Sequence, residues 1–153
     1  MSVEDRYPVL KAELQTFAHA TEDIEKVEKA LTNLLGDEIR NAVITHTELK
    51  GHFKDPITII KAVVKKKKPA TAFFFSMIEG FSSLDLSTLF DELTERVDTS
   101  GNLYIRLDKQ KAFRGVEYMN QLDPIRLKFN FRRPHKTDPS EHIQTIIEER
   151  SAA

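Results

Sequence analysis

Apolar and polar residues alternate with a period of two in several parts of the chain. The clearest alternations cover residues 125–131 and 103–107, and another covers residues 10–18. A period of two is typical of a strand with one buried face. Residues 42–49 and 57–64 are rich in β-branched side chains and flank the turn sequence KGHFKDP, which predicts a hairpin. Together these patterns predict five strands.

The segment ATEDIEKVEKALTNLLG, residues 20–36, has the spacing of an amphipathic helix. Thr21 is the expected N-cap, and the acidic residues after it suit the positive end of the helix dipole. Gly36 offers a left-handed stop at the other end. The predicted apolar stripe consists of Ile24, Val27, Leu31, Leu34 and Leu35.

Further helices are predicted between and after the strands. We expect Pro69 to end the second strand of the hairpin, and apolar spacing predicts helices over residues 70–80 and 86–97. Asp108 is placed to cap a short helix that closes near a glycine. After the linker sequence RRPHKTDPS, Ser140 is the expected cap of a terminal helix that carries three isoleucines.

The predicted order is β-α-β-β-α-α-β-α-β followed by a tail. Strands mixed with hairpins and helices predict an α+β domain, in which an antiparallel or mixed sheet is covered by helices on one face. A chain of 153 residues with 40% apolar side chains can bury its own core. We assign the domain to residues 1–133, and a linker with a short C-terminal helix to residues 134–153.

The composition and the first residues indicate the cellular compartment of the protein. The sequence contains no cysteine, which excludes disulfides and thiolate metal sites and favours a reducing compartment. The start MSVEDRYPVL lacks the basic and apolar regions of a signal peptide. The longest apolar run, residues 72–75, is too short to cross a bilayer. We therefore expect a cytoplasmic protein with no membrane partner.

Charge is segregated along the chain although the formal net charge is only −1. Residues 51–70 hold six basic and one acidic side chain, and residues 101–136 hold nine and three. Residues 71–100 reverse the balance, with one basic and six acidic side chains. Such blocks indicate separate basic and acidic faces. Acidic helices that simply alternate with basic strands would give the same totals, so both interpretations stay open here.

If the apolar residues of the strands face the helices, the interleaved polar residues share the outer face of the sheet. The first strand would add Lys11, Gln15, Phe17 and His19 to that face. Cations replace counterions at phosphates and aromatic rings stack on unpaired bases, so this mixture indicates RNA binding. Outward cations also discourage aggregation of strand edges, which is the alternative reading. The candidate RNA-binding residues are Tyr104, Arg106, Lys109, Gln110, Lys111, Arg114, Arg126, Lys128 and Arg132.

Four segments together resemble a family of small archaeal proteins described as predicted RNA-binding proteins or exosome-associated subunits. They are FAHATEDIEKVEKALTNLL, KGHFKDPITII, GNLYIRLDKQKAFRG and DPIRLKFNF. The resemblance implies a fold like that of the ribosomal protein that binds 5S rRNA, and a role in RNA processing or in ribosome- or exosome-related assembly. The second segment departs from the family pattern, which usually has Gly-Asn-Pro-Ile where this chain has Lys54-Asp55-Pro56-Ile57.

The sequence gives no motif for catalysis. No phosphate loop or dinucleotide fingerprint occurs, and the five histidines form no HExxH pattern. His46 and His52 flank the hairpin turn, so a metal-dependent hydrolase is a third hypothesis behind the RNA-binding one. The second hypothesis is a protein-interaction adaptor that docks through the helix within residues 138–150. We expect no enzyme activity, cofactor or metal, and an exposed sheet edge would permit a homodimer.

Overall fold

A single antiparallel sheet organises the chain. The computed structural model describes residues 2–50, 55–132 and 136–152. The predicted KGHFKDP turn and part of the predicted linker lie outside the described residues. The strands are β1 (Val9–Ala18), β2 (Ala42–Lys50), β3 (Pro56–Val64), β4 (Asn102–Asp108) and β5 (Pro124–Phe131). Their order in the sheet is β2-β3-β1-β5-β4, and every neighbouring pair is antiparallel, which confirms the α+β prediction.

The described ranges also contain seven α-helices and one 3₁₀ helix, which spans Gly36–Asn41. The α-helices are α1 (Val3–Arg6), α2 (Ile24–Leu35), α3 (Lys67–Gly80), α4 (Ser83–Asp91), α5 (Leu93–Arg96), α6 (Lys109–Phe113) and α7 (Pro139–Ala152).

Helix α2 begins two residues later than the sequence suggested. Asp23, and not Thr21, is the N-cap, because its carboxylate accepts a hydrogen bond from the Glu25 backbone N–H at 2.9 Å. Ile24 is 40% exposed and so lies outside the buried stripe that was predicted for it. Gly36 has φ +56°, in agreement with its predicted role as the stop.

The prediction that Pro69 ends the second strand of the hairpin is wrong, because that strand already ends at Val64. Helix α3 already begins at Lys67, so the proline lies in its first turn, where the missing N–H leaves no intrahelical bond unmade. The predicted helix over residues 86–97 is divided into α4 and α5, and Val97 leaves it to form a bridge with Leu103. The predicted cap of α6 is confirmed, since Asp108 accepts a hydrogen bond from the Lys111 N–H at 2.8 Å.

The core lies between the helices and one face of the sheet. Phe74 of α3 packs against Phe129 and Phe131 of β5, with ring centroids 5.1 and 4.9 Å apart. Burial alternates along β1, β4 and β5, so every second side chain points away from the helices. We call the side of the sheet opposite the helices the open face. The two edges of the sheet are β2 and β4, and a homodimer formed through an edge remains a prediction.

Helix α7 contributes to the same core. Ile143, Ile146 and Ile147 are fully buried, so the apolar side of α7 is used within this chain and is not free to dock a partner. Its first turn is capped by Asp138, whose carboxylate accepts hydrogen bonds from the Ser140 and Glu141 N–H groups, so the predicted cap at Ser140 is wrong. The domain boundary at residues 133 and 134 stays a prediction.

Candidate nucleic-acid interface

The β4–β5 register brings four predicted site residues together on the open face. Arg106 lies directly opposite Arg126, and Tyr104 lies directly opposite Lys128. All four side chains alternate with buried apolar residues of the same two strands. The expected convergence of Arg106 with Arg126 and Lys128 on one plane is therefore present.

The central strands extend this group across the sheet. Gln15 of β1 is paired with Arg126 on one side and with Lys61 of β3 on the other. Lys61, Gln15, Arg126 and Arg106 thus form a row over four adjacent strands. Lys61 was not among the predicted site residues, because the sequence does not reveal that β3 lies next to β1.

Glu13 is the carboxylate that partly balances this row. Its side chain lies 3.3 Å from the Lys11 ammonium, 3.5 Å from that of Lys61 and 3.9 Å from that of Lys128. Partial burial opposes ionisation of Glu13, but the Lys11 hydrogen bond and the three ammonium charges outweigh it and hold its pKa below the ordinary value. One carboxylate cannot neutralise three cations, so this part of the open face keeps a positive excess.

The Arg106–Arg126 pair has no carboxylate partner among the described residues. Arg106 donates a hydrogen bond to the Gln121 side-chain oxygen at 3.3 Å, and the Arg126 guanidinium lies 5.8 Å from the centre of the Phe17 ring. Like charges directly opposite each other on adjacent strands are destabilising. An anion bound between the two guanidinium groups would remove that repulsion.

Tyr104 supplies an aromatic surface beside these cations. The residue is 40% exposed, and its hydroxyl donates a hydrogen bond to Asp98 at 3.0 Å, which holds the ring in place. Burial opposes ionisation of Asp98, but hydrogen bonds from Asn102, Tyr104 and Ser100 lower its pKa overall. A hollow of about 170 Å³ on the open face is lined by Glu13, Gln15, Lys61, Tyr104, Arg126, Leu127 and Lys128.

Lys109 does not extend the exposed patch, contrary to the prediction. It is only 6% exposed, and its ammonium donates to the Phe17 carbonyl at 2.7 Å, to Asp123 at 3.0 Å and to Glu22 at 3.2 Å. These three acceptors satisfy all the donors of the ammonium group. The residue therefore ties α6 to the end of β1 and to the loop before β5.

The other predicted site residues of this region, Gln110 and Lys111 of α6 and Arg114 just past its end, are exposed but line surfaces other than the one at the Arg106–Arg126 pair. Gln110 and Arg114 line a cavity of about 240 Å³ between α6 and α2, together with Lys26 and Phe113. Lys111 lies 5.5 Å from the centre of the Tyr118 ring. The sequence placed these side chains in one patch with β4, whereas the helix directs them toward α2 and its own loop.

Arg132 lies at the end of the sheet, past the last residue of β5. Its backbone N–H donates to the Pro8 carbonyl at 3.4 Å, and its side chain lines a cleft of about 540 Å³ at the start of α3. The predicted site residues therefore lie in four places: on the open face, at α6, buried in the case of Lys109, and at the end of the sheet in the case of Arg132.

Within residues 2–50, 55–132 and 136–152, two histidines have carboxylate partners. His19, Glu22 and Asp123 place possible metal-ligand atoms within 4.8 Å of one another, but both carboxylates already accept hydrogen bonds from the Lys109 ammonium. His46 is hydrogen-bonded to Glu28 at 2.6 Å, and His52 lies outside the described residues.

In the part of the chain that the structure describes, no helix has the length and apolar character needed to cross a membrane.

A family model described as RNA binding matches residues 11–131, which include all five strands apart from the first two residues of β1. The chain belongs to this family. An RNA-binding protein from the archaeon Pyrococcus abyssi is 38% identical over 104 residues, which are 67% of this chain and 68% of that protein.

Solved structures of archaeal proteins share the fold of this family member. A DUF54 protein from Methanothermobacter thermautotrophicus superposes with a TM-score of 0.74 at 30% identity, over 92% of this chain and 98% of the other. A DUF54 protein from Archaeoglobus fulgidus gives a TM-score of 0.76 at 26% identity with the same coverage. The names of these relatives refer to RNA binding or to the DUF54 family and to no enzymatic activity.

Proposed function

We propose that this protein is a non-catalytic RNA-binding protein whose open face holds RNA at Arg106, Arg126, Lys128 and Tyr104. The observation that carries the proposal is the pair of opposed arginines, which lacks a carboxylate partner among the described residues. The family description and the name of the Pyrococcus abyssi relative support RNA as the anion.

The chemistry of the site favours unpaired RNA. Arginine and lysine contact phosphates at any sequence, and an exposed tyrosine ring offers a stacking surface that only an unstacked base can use. Tyr104 stands beside Lys128 on the same surface, with the ammonium 5.9 Å from the ring centre. We therefore assign single-stranded or looped segments of a structured RNA to this face.

The cellular role that we propose is RNA processing or ribosome- or exosome-related assembly in the cytoplasm. It is supported by the resemblance of the four sequence segments and by a cysteine-free composition, which suits a reducing compartment. Copurification of the tagged protein with RNA from its own cells, followed by sequencing, tests this role. Recovery of no RNA species above a tag-only control would contradict it.

Binding to the open face is tested with the double variant Arg106→Gln/Arg126→Gln and a labelled single-stranded RNA. Affinity is expected to fall at least about tenfold, and the slope of log affinity against log salt should decrease by about 1.4 for two lost phosphate contacts. The matched control Lys29→Gln/Arg40→Gln removes the same charge from exposed residues of α2 and the 3₁₀ helix. Equal affinities and slopes for the two double variants would contradict the proposal.

A further inference from the structure

A second group of basic side chains lies at the end of the sheet. The cleft of about 540 Å³ is formed where α1, the start of α3 and the end of β5 meet, and its basic residues are Arg6, Lys67, Lys68 and Arg132. Lys67, Lys68 and Arg132 are exposed and have no ion-pair partner among the described residues. We call this feature the terminal cleft.

The acidic residues of the terminal cleft are already engaged. Glu4 is bonded to Arg150, and Asp5 accepts a hydrogen bond from the Ser2 hydroxyl at 2.8 Å. Arg6 lies 3.6 Å from Glu149. Glu4 and Arg6 are thus paired with residues outside the cleft lining. The Asp5 carboxylate remains against Lys67, Lys68 and Arg132, so the cleft carries an excess of positive charge.

The backbone beneath these cations is held firmly. The Thr71 hydroxyl accepts a hydrogen bond from the Val9 N–H at 2.8 Å and donates to the Lys67 carbonyl at 2.7 Å. The first turn of α3 is thereby joined to β1, just as Arg132 is joined to Pro8. Cations on a fixed backbone bind a ligand at a smaller entropic cost than cations on a mobile loop.

The terminal cleft is continuous with the open face along the two central strands. Next to the hollow at Arg126, a second hollow of about 210 Å³ is lined by Lys11, Glu13, Asn102, Lys128 and Asn130. Arg126 and Arg132 are six residues apart, which at ~3.3 Å per residue is about 20 Å along β5. Basic and amide side chains thus follow β1 and β5 from the arginine pair to the cleft.

We infer that the terminal cleft is a second phosphate-binding site for the same RNA, whose backbone runs along β1 and β5 and not across the five strands. The inference rests on the proposed function. It adds the path of the bound RNA over the sheet and the requirement that the RNA be long enough to reach both sites. A short RNA occupies the open face alone, and a longer one reaches Lys67, Lys68 and Arg132 as well.

The test compares labelled oligouridines of about 12 and about three nucleotides on the double variant Lys67→Glu/Lys68→Glu. Glutamates suit the first turn of a helix, so the fold should persist, which the urea unfolding midpoint checks. We expect affinity for the longer RNA to fall about tenfold relative to Lys29→Glu/Arg40→Glu, and affinity for the shorter RNA to stay within about twofold.

The experiment separates a failure of this inference from a failure of the proposed function. If the unmodified protein binds neither RNA, the proposed function itself fails. If it binds RNA through Arg106 and Arg126 but the cleft variant behaves like its control, only the inference about the cleft is overturned. An equal loss for both RNA lengths would also overturn it, because the cleft would then not be a distant second site.

Discussion

Lys109 and the Arg106–Arg126 pair are close in sequence but differ in what surrounds their charge. The Lys109 ammonium is enclosed by two carboxylates and a carbonyl, whereas Arg106 and Arg126 lie opposite each other on the open face and have no carboxylate partner among the described residues. The first arrangement stabilises the fold, and the second leaves charge for a ligand. A basic cluster in a sequence therefore indicates an anion site only after the partners of each cation are known.

The largest expected effect comes from removing the enclosed cation. Lys109→Met leaves Glu22 and Asp123 without their shared partner, and losing one member of a buried ion pair costs about 3 kcal/mol. Asp123 is half exposed, so we expect about 2 kcal/mol less free energy of unfolding in urea. RNA affinity of the folded protein should not change.

The control for this variant is Lys111→Met, two residues further along α6. Its side chain is exposed and lies against the Tyr118 ring, so the free energy of unfolding should change by less than about 1 kcal/mol. If Lys109→Met lost more free energy of RNA binding than free energy of unfolding, the conclusion that Lys109 stabilises the fold and does not bind RNA would be contradicted.

Glu117 sharpens the comparison, because it is a partly buried carboxyl group with no cation partner among the described residues. Its Oε2 atom is buried without a hydrogen-bond partner among the described residues, and it sits where a Cβ atom on Gly80 would be only 2.2 Å away. Burial raises the pKa of Glu117 to about 7. The folded state therefore binds a proton that the unfolded state releases above its ordinary, lower pKa.

The resulting stability is present at acidic pH and is lost as the pH rises through about 7. Glu117→Gln removes the ionisation, so the variant should be more stable than the unmodified protein by about 2 kcal/mol at pH ~8, after allowance for partial exposure, and about equally stable at pH ~5. Urea unfolding at both pH values measures this. A variant less stable at pH ~8 would show that Glu117 has a stabilising partner.

A smaller effect is expected from the acid that balances the open face. Glu13→Gln removes the carboxylate shared by Lys11, Lys61 and Lys128, so RNA affinity should rise about threefold at low salt, and the gain should vanish near 1 M salt. The matched variant is Glu25→Gln on α2, whose side chain is exposed on the helical side. An equal gain in both variants would mean that net charge, and not this surface, governs binding.

Local patterns predicted the strands and the α6 cap, because the alternation of β5 and the spacing of Asp108 from Lys111 involve residues that are near in sequence. The burial and ion pairing of Lys109 could not be predicted in this way, since Glu22 lies 87 residues away and is brought near only by the packed fold. Lys61 could not be assigned to the site either, because local patterns do not reveal that β3 lies beside β1. The burial of three isoleucines of α7 likewise depends on a surface formed by segments that are distant in sequence.

Photo-crosslinking of bound single-stranded RNA, with mass spectrometry of the crosslinked peptides, tests the central claim most directly. If RNA lies on the open face, crosslinks should form at Tyr104 of β4 and Phe17 of β1, and Arg106→Gln/Arg126→Gln should abolish them. Crosslinks confined to the helical side, with both rings unmodified, would contradict the account.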